Sequence, residues 1–311
     1  MRFGLFRTAA TVRGLVPSFF ADTFTMKNAL VLYHADCPDG FGAAYAAWLV
    51  LGDNADYQPC KHGGAVPDVA GKDVYILDFA FDPDVLQAMS AQARSVTLLD
   101  HHKTAQDKLR CLDCGPSFRL LFDLQRSGAR LAWDHFHPGK PVPVLISRIE
   151  DRDLWHWAFP DSRAILAALD MLDFDFAQWA AFHAESEDTA KLTAIVARGQ
   201  AVVDRFDQQV RDIASDAFEI ELMGHKVWAV NATSEFTSDV GNLLAKKSGT
   251  FGVIFKIDSP KVVKVGLRAE RSFDASPIAV AFGGGGHPQA CAFRLPLARL
   301  PELLGGTLRP A

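Results

Sequence analysis

Three short apolar runs in this chain each end in acidic or imidazole side chains. Ala29-Leu30-Val31-Leu32-Tyr33 leads into His34-Ala35-Asp36-Cys37-Pro38-Asp39-Gly40. Val74-Tyr75-Ile76-Leu77 leads into Asp78, and Ser95-Val96-Thr97-Leu98-Leu99 into Asp100-His101-His102. Runs of this length, bounded by polar residues, predict strands buried on both faces, as in a parallel sheet. The segments between them predict helices at 41–51 and 81–93, the second announced by Asp82, Pro83 and Asp84. Strand, polar turn and helix make a βαβ unit. Parallel strands end at one sheet edge, where open α/β sheets place their ligands. Asp and His are ligand types for Mn²⁺, Mg²⁺ or Zn²⁺. Two adjacent His on an extended segment point to opposite sides, so His101 and His102 are expected to serve metal and substrate separately.

Further along, 127–136 reads as a helix opened by Ser127-Gly128-Ala129, and an apolar element at 143–149 runs into Glu150-Asp151-Arg152-Asp153. Residues 161–182 read as one helix, and 188–215 as a polar helix connecting two domains. The second part alternates at 218–222 and 227–230, then predicts a helix at 237–247 and strands at 251–257 and 261–268. Gly283-Gly284-Gly285-Gly286-His287-Pro288 lies between apolar segments. Four glycines there predict an anion-binding loop, whose backbone approaches a ligand closely and aims several N–H groups at it. The expected domains are 28–187, the connecting helix 188–215, and 216–308.

The net charge of −5 over 311 residues argues against a broad nucleic-acid surface and leaves room for a focused phosphate pocket. Cys111-x-x-Cys114 has no second pair, so reduced cytosolic thiols and a cytoplasmic setting are expected. No apolar run is long enough to predict a membrane span. Met1 to Ala21 carries Arg2, Arg7 and Arg13 and no acidic residue. Residues 1–27 are expected to be a disordered extension or an over-extended start with Met26 as initiator, in preference to a targeting segment.

With His34 to Gly40, Asp78, Asp100-His101-His102, Asp151, Arg268 and Gly283 to His287 in this order, the chain resembles the DHH phosphoesterase family in its DHHA1-containing subfamily. That subfamily includes oligoribonucleases and phosphoadenosine-phosphate phosphatases. The resemblance implies an α/β fold, with a parallel-sheet domain joined by a helix to a smaller α/β domain and a cleft between them. It implies two divalent ions, normally Mn²⁺, with Mg²⁺ or Co²⁺ as substitutes. His34 and Asp39 match ligands of one ion, Asp78 the bridging carboxylate, and His101 and Asp151 ligands of the second. Asp100 matches a group that holds a His tautomer, and His102 a contact to the scissile phosphate. Arg268 with Gly284, Gly285, Gly286 and His287 matches a clamp for a distal phosphate. Relatives in the pyrophosphatase and oligoribonuclease branches carry His-x-x-x-Asp-x-Asp in the first motif. Here the order is His34-x-Asp36-x-x-Asp39, with Phe41 two positions after Asp39, so the remaining ligand is either Asp36 or missing.

The activity implied is metal-dependent phosphodiester hydrolysis, exonuclease-like, on short oligonucleotides or dinucleotides, giving nucleoside monophosphates. The competing expectations are 3′-phosphoadenosine 5′-phosphate phosphatase, exopolyphosphatase, or a nucleotide-sensing module with a degenerate metal site. The expected partner is a short oligonucleotide or nucleotide, with no membrane; a homodimer is left open.

Overall fold

A computed structural model describes residues 27–61 and 63–310. The expectation for residues 1–27 therefore falls almost entirely outside the described residues. The described residues divide into two compact units that part between residues 141 and 142.

The first unit is a doubly wound α/β layer. Its strands are β1 (Ala29–His34), β2 (Ala55–Cys60), β3 (Asp73–Leu77), β4 (Ser95–Asp100) and β5 (Phe118–Phe122), in the spatial order β2-β1-β3-β4-β5. All four pairings are parallel. The three central strands are those read from the sequence, and their inner residues are buried almost completely. Each Val, Leu or Ile so buried contributes about 1.5–3 kcal/mol. The edge strands β2 and β5 were not anticipated. β2 contains Asp56, Gln58 and Pro59, and the middle of β5 is exposed, so neither carries the pattern of a buried strand. Helices α1 (Pro38–Leu51), α2 (Pro83–Gln92), α3 (Lys103–Leu109) and α4 (Gly128–Phe136) flank this sheet.

Register aligns the functional edge. Tyr33 pairs with Leu77, and Leu77 with Leu99. His34, Asp78 and Asp100 are therefore the next residues on three neighbouring strands.

The second unit opens with helices α5 (Val144–Asp153), α6 (Ser162–Leu169), α7 (Phe176–Ser186) and α8 (Thr189–Ser215). The single helix expected at 161–182 is two, because the chain turns at 170–175, where Asp175 caps the start of α7. Helices α5 to α7 group with α8, so the units part at Pro141, earlier than the boundary expected at 187. One physical cause is a close crossing. A side chain at Gly199 of α8 would lie 1.7 Å from the Ala164 carbonyl oxygen of α6.

A six-stranded sheet follows, formed by β6 (Phe218–Leu222), β7 (His225–Asn231), β8 (Phe251–Ser259), β9 (Val262–Ala269), β10 (Gly285–His287) and β11 (Ala290–Pro296). Its order is β10-β11-β9-β8-β7-β6, antiparallel except for the β7–β8 pair. Helices α9 (Thr237–Ser248), α10 (Ser276–Ala281) and α11 (Leu300–Leu304) complete it. In β9 the alternation puts Val263, Val265 and Leu267 in the core and sets Lys264, Gly266 and Arg268 on the other face. No helix among the described residues is long and apolar enough to cross a membrane.

Candidate functional site

At the carboxyl edge of the parallel sheet, Asp78 is 1% exposed and adopts a left-handed backbone with φ 55°. That conformation is costly for a residue with a side chain, and such strain concentrates at functional sites. His101 Nε2 lies 3.2 Å from its Oδ1, and His34 Nδ1 lies 3.4 Å from its Oδ2. His102 Nδ1 is 4.0 Å from Oδ1. Burial works to raise the Asp78 pKa. Hydrogen bonds from His101 and His34, with the nearby imidazole charges, outweigh it and hold the carboxyl at about 2.

Two donor sets share Asp78: His34, Cys37 and Asp78 on one side, and Asp78, His101 and His102 on the other. Within each set the donor atoms lie within 4.8 Å of one another. Such sets could hold a divalent ion, and Asp78 is common to both. Cys37 was not singled out in the sequence. Burial, and after it the Asp78 charge, push its thiol up to about 12.

Asp100 is fully buried and organises the double-His segment. Its Oδ1 accepts from the backbone N–H of His101 at 2.8 Å and from Nδ1 of His102 at 2.7 Å. An ionised carboxylate only accepts, so the His102 proton sits on Nδ1 and Nε2 is left as the free ring position. The same hydrogen bond raises the His102 pKa. The expected division of His101 and His102 to opposite sides does not hold. The strand ends at Asp100, and past it the rings lie 4.6 Å apart, both directed at Asp78.

Asp39, 2% exposed, joins this cluster from the first turn of α1. Its Oδ2 is 3.6 Å from His101 Nε2. Its two oxygens also accept from the backbone N–H groups of Gly128 and Ala129, at 2.6 and 2.9 Å. Asp39 thus caps the N-terminus of α4, where a carboxylate is favoured by the helix dipole. Gly128 sits directly against Asp78: a side chain there would place Cβ 2.4 Å from the Asp78 Cβ. The grouping of His34 with Asp39 expected from the sequence is not the nearest one; Cys37 stands beside His34, and Asp39 beside His101.

Asp36 turns away. Its side chain is 74% exposed and pairs with Lys61, on a left-handed backbone with φ 56°.

In the second unit, Asp151 is 3% exposed and accepts from the N–H groups of Ala158 and Phe159 and from the Ser162 hydroxyl. Both its oxygens are engaged. Arg268 extends from β9, donating to Ser238 Oγ at 3.2 Å and to the Leu267 carbonyl at 3.0 Å. It lines a cleft of about 260 Å³ with Lys256, Lys264, Ser234, Thr237 and Gly285. Lys256 and Lys264 were not anticipated, although the alternation of β9 places Lys264 beside Arg268. The glycine run is not an open loop. The N–H groups of Gly283 and Gly284 are taken by carbonyls of α10, and Gly285–His287 pairs with β11 as an edge strand. A side chain at Gly284 would meet the Ala292 carbonyl at 2.1 Å, so close strand packing accounts for that glycine.

Residues 221–305 match the DHHA1 domain. Over 283 residues the chain is 29% identical to Uncharacterized protein R106 of Acanthamoeba polyphaga mimivirus, covering 84% of this chain and 66% of the viral protein's length. Among solved structures, the pGpG-specific phosphodiesterase PggH from Vibrio cholerae aligns at 14% identity over 89% of this chain and 96% of that one, with a TM-score of 0.50. RecJ in complex with Mn²⁺ from Thermus thermophilus aligns at 14% identity over 89% of this chain and 50% of that one, with a TM-score of 0.49. The likeness to PggH is one of fold. The family match covers the DHHA1 domain in the second unit, residues 221–305.

Proposed function

We propose that the chain is a divalent-metal-dependent phosphoesterase. It cleaves phosphodiester bonds of short oligonucleotides or dinucleotides and releases nucleoside monophosphates. The observation that carries this reading is Asp78, one buried carboxylate shared by two adjacent donor sets at a parallel sheet's carboxyl edge. His34 and Asp78 would hold one ion; Asp78 and His101 would hold the other, with Asp39 3.6 Å from His101 as a further donor. Mn²⁺ suits this donor set, with Mg²⁺ or Co²⁺ able to substitute. Two such ions supply a hydroxide at neutral pH and neutralise phosphoryl charge. The protein's own part is positioning. Asp100 fixes the His102 tautomer, so that Nε2 faces the substrate phosphate. In the second unit, Arg268 and Lys264, with His287 from the edge strand, would meet a phosphate of the substrate, and binding energy from such a contact can be used to orient a reacting group. A small basic cleft on a chain of charge −5 suits short substrates, because long polymers need extended basic surface. The substrate class in PggH's name, pGpG-specific phosphodiesterase, supports the dinucleotide reading.

The test is a Mn²⁺ panel of linear dinucleotides, a five-mer, a cyclic dinucleotide, 3′-phosphoadenosine 5′-phosphate, pyrophosphate and polyphosphate. The expected result is monophosphate release from linear dinucleotides and the five-mer, lost in Asp78→Ala together with bound Mn²⁺. Undiminished turnover in Asp78→Ala overturns the metal assignment. Tight nucleotide binding with no product at any divalent ion makes the protein a sensing module instead.

A further inference from the structure

We propose that Cys37 is a metal ligand, its sulfur standing where the first motif lacks a carboxylate. The inference rests on the metal-dependent reading above. Asp36, the alternative donor, is exposed and paired with Lys61. Cys37 occupies the N-cap of α1, with Pro38 at the first helical position. Its carbonyl accepts from the Phe41 N–H at 2.9 Å, which fixes the backbone. A residue at that position ordinarily turns its side chain to the helix's free N–H groups. Cys37 makes no full side-chain cap bond, although the N–H groups of Gly40 and Asp39 favour its thiolate form. Its Sγ is 3.8 Å from Asp78 Oδ2, the same oxygen that lies 3.4 Å from His34 Nδ1. Ligands about 2.0–2.3 Å from a common ion are themselves about 3–4 Å apart. Two of the three separations among the His34, Cys37 and Asp78 donors fall in that range, and the third is within 4.8 Å, close enough for one ion to draw the set together.

A coordinating thiol gives up its proton to the ion's field, so the uncoordinated thiol's burial is no obstacle. The consequence is selectivity. A thiolate beside an imidazole and a carboxylate favours Co²⁺ or Zn²⁺ over Mg²⁺ more strongly than an all-oxygen and imidazole site does.

The experiment is a Co²⁺ titration of the full chain, following visible d–d bands for binding and near-ultraviolet sulfur-to-cobalt charge transfer for thiolate ligation. The wild type should show both. The Cys111→Ser/Cys114→Ser variant should keep both, which removes the one other paired-cysteine source. Cys37→Ser should keep d–d bands without charge transfer and bind Co²⁺ at least about tenfold more weakly, no less than the loss of an outer-sphere partner costs. X-ray absorption at the cobalt edge gives a readout that needs no Cys37 variant to fold: the wild type should show a Co–S shell. Binding bands without charge transfer in the wild type, charge transfer that survives Cys37→Ser, or a cobalt shell of nitrogen and oxygen alone overturns the inference and leaves the metal reading standing. Absence of any Co²⁺ binding overturns both.

Discussion

Replacing Gly128 by alanine tests how tightly the site is built. At an ordinary helix position the change stabilises a protein by about 1 kcal/mol, since alanine has the higher helix propensity. Here the new Cβ would lie 2.4 Å from Cβ, 2.7 Å from Cγ and 2.8 Å from Oδ1 of Asp78. Carbon contacts prefer about 3.5–4.0 Å. Asp78 has little room to yield, being 1% exposed with His34 and His101 against its two oxygens. Overpacking of this kind costs about 1–3 kcal/mol. Moving α4 instead would strain the two N–H bonds into Asp39, and hydrogen bonds to a charged group contribute about 1.5–3 kcal/mol. Either cost outweighs the propensity gain, and the net loss should be about 1–2 kcal/mol in urea unfolding. At about 2–4 °C per kcal/mol, Tm falls by several degrees. Mn²⁺ binding and dinucleotide hydrolysis should fall with it, because the displaced group is Asp78 itself. A Gly128→Ala protein that gains about 1 kcal/mol and binds Mn²⁺ normally would refute the close Gly128–Asp78 packing, and with it the idea that α4 frames the site.

The two acidic residues of the first motif should separate cleanly. Asp36→Asn should cost no more than about 1 kcal/mol in stability or activity, as an exposed ion pair does, while Asp39→Asn should lower both Mn²⁺ affinity and stability; equal losses would contradict the outward turn of Asp36. Asp151 carries a pH signature. Burial works to raise its carboxyl, but the Ser162, Ala158 and Phe159 bonds and the Arg148 charge outweigh it, so it lies below the ordinary value. A carboxyl depressed by folding adds stability above its unfolded pKa of about 3.9 and loses it as pH falls through the folded value. Asp151→Asn should therefore be less stable than wild type at pH 7, with the gap closing below about pH 4; a gap constant down to about pH 2 would contradict this. Arg268→Ala should lower kcat/KM for dinucleotides by at least about tenfold while leaving Mn²⁺ binding and slow hydrolysis of bis-p-nitrophenyl phosphate in place. An equal fall on both substrates would place Arg268 with the metals or the fold.

Much of the edge that carries the site was legible in the sequence. Residues 29–33, 74–77 and 95–99 are too short for helices and too apolar for surface strands, and a parallel arrangement brings their ends together. His34, Asp78 and Asp100 then follow from chain order alone. The strand at 261–268 was likewise legible, and the structure adds which of its faces holds Arg268. What the sequence could not settle lies in turns and in distant contacts. Asp36 was the ligand the sequence offered, and its neighbour Cys37 carried no signal. At Asp36 the backbone is left-handed and the carboxylate pairs with Lys61, while the Cys37 sulfur lies by Asp78. Nothing local marks Asp39 as the cap of a helix that begins 89 residues later, or Gly128 as a glycine required by a carboxylate. The edge strands β2 and β5 lack the burial that makes a strand visible, since each pairs on one side only. The glycine run was read as a free loop because its backbone freedom is a local property. Its folding as a helix cap and an edge strand depends on α10 and β11, which offer carbonyls only once the sheet has formed. Periodic burial is written into a chain residue by residue, whereas the direction of a turn and the partner of a buried charge are set by groups far away in sequence.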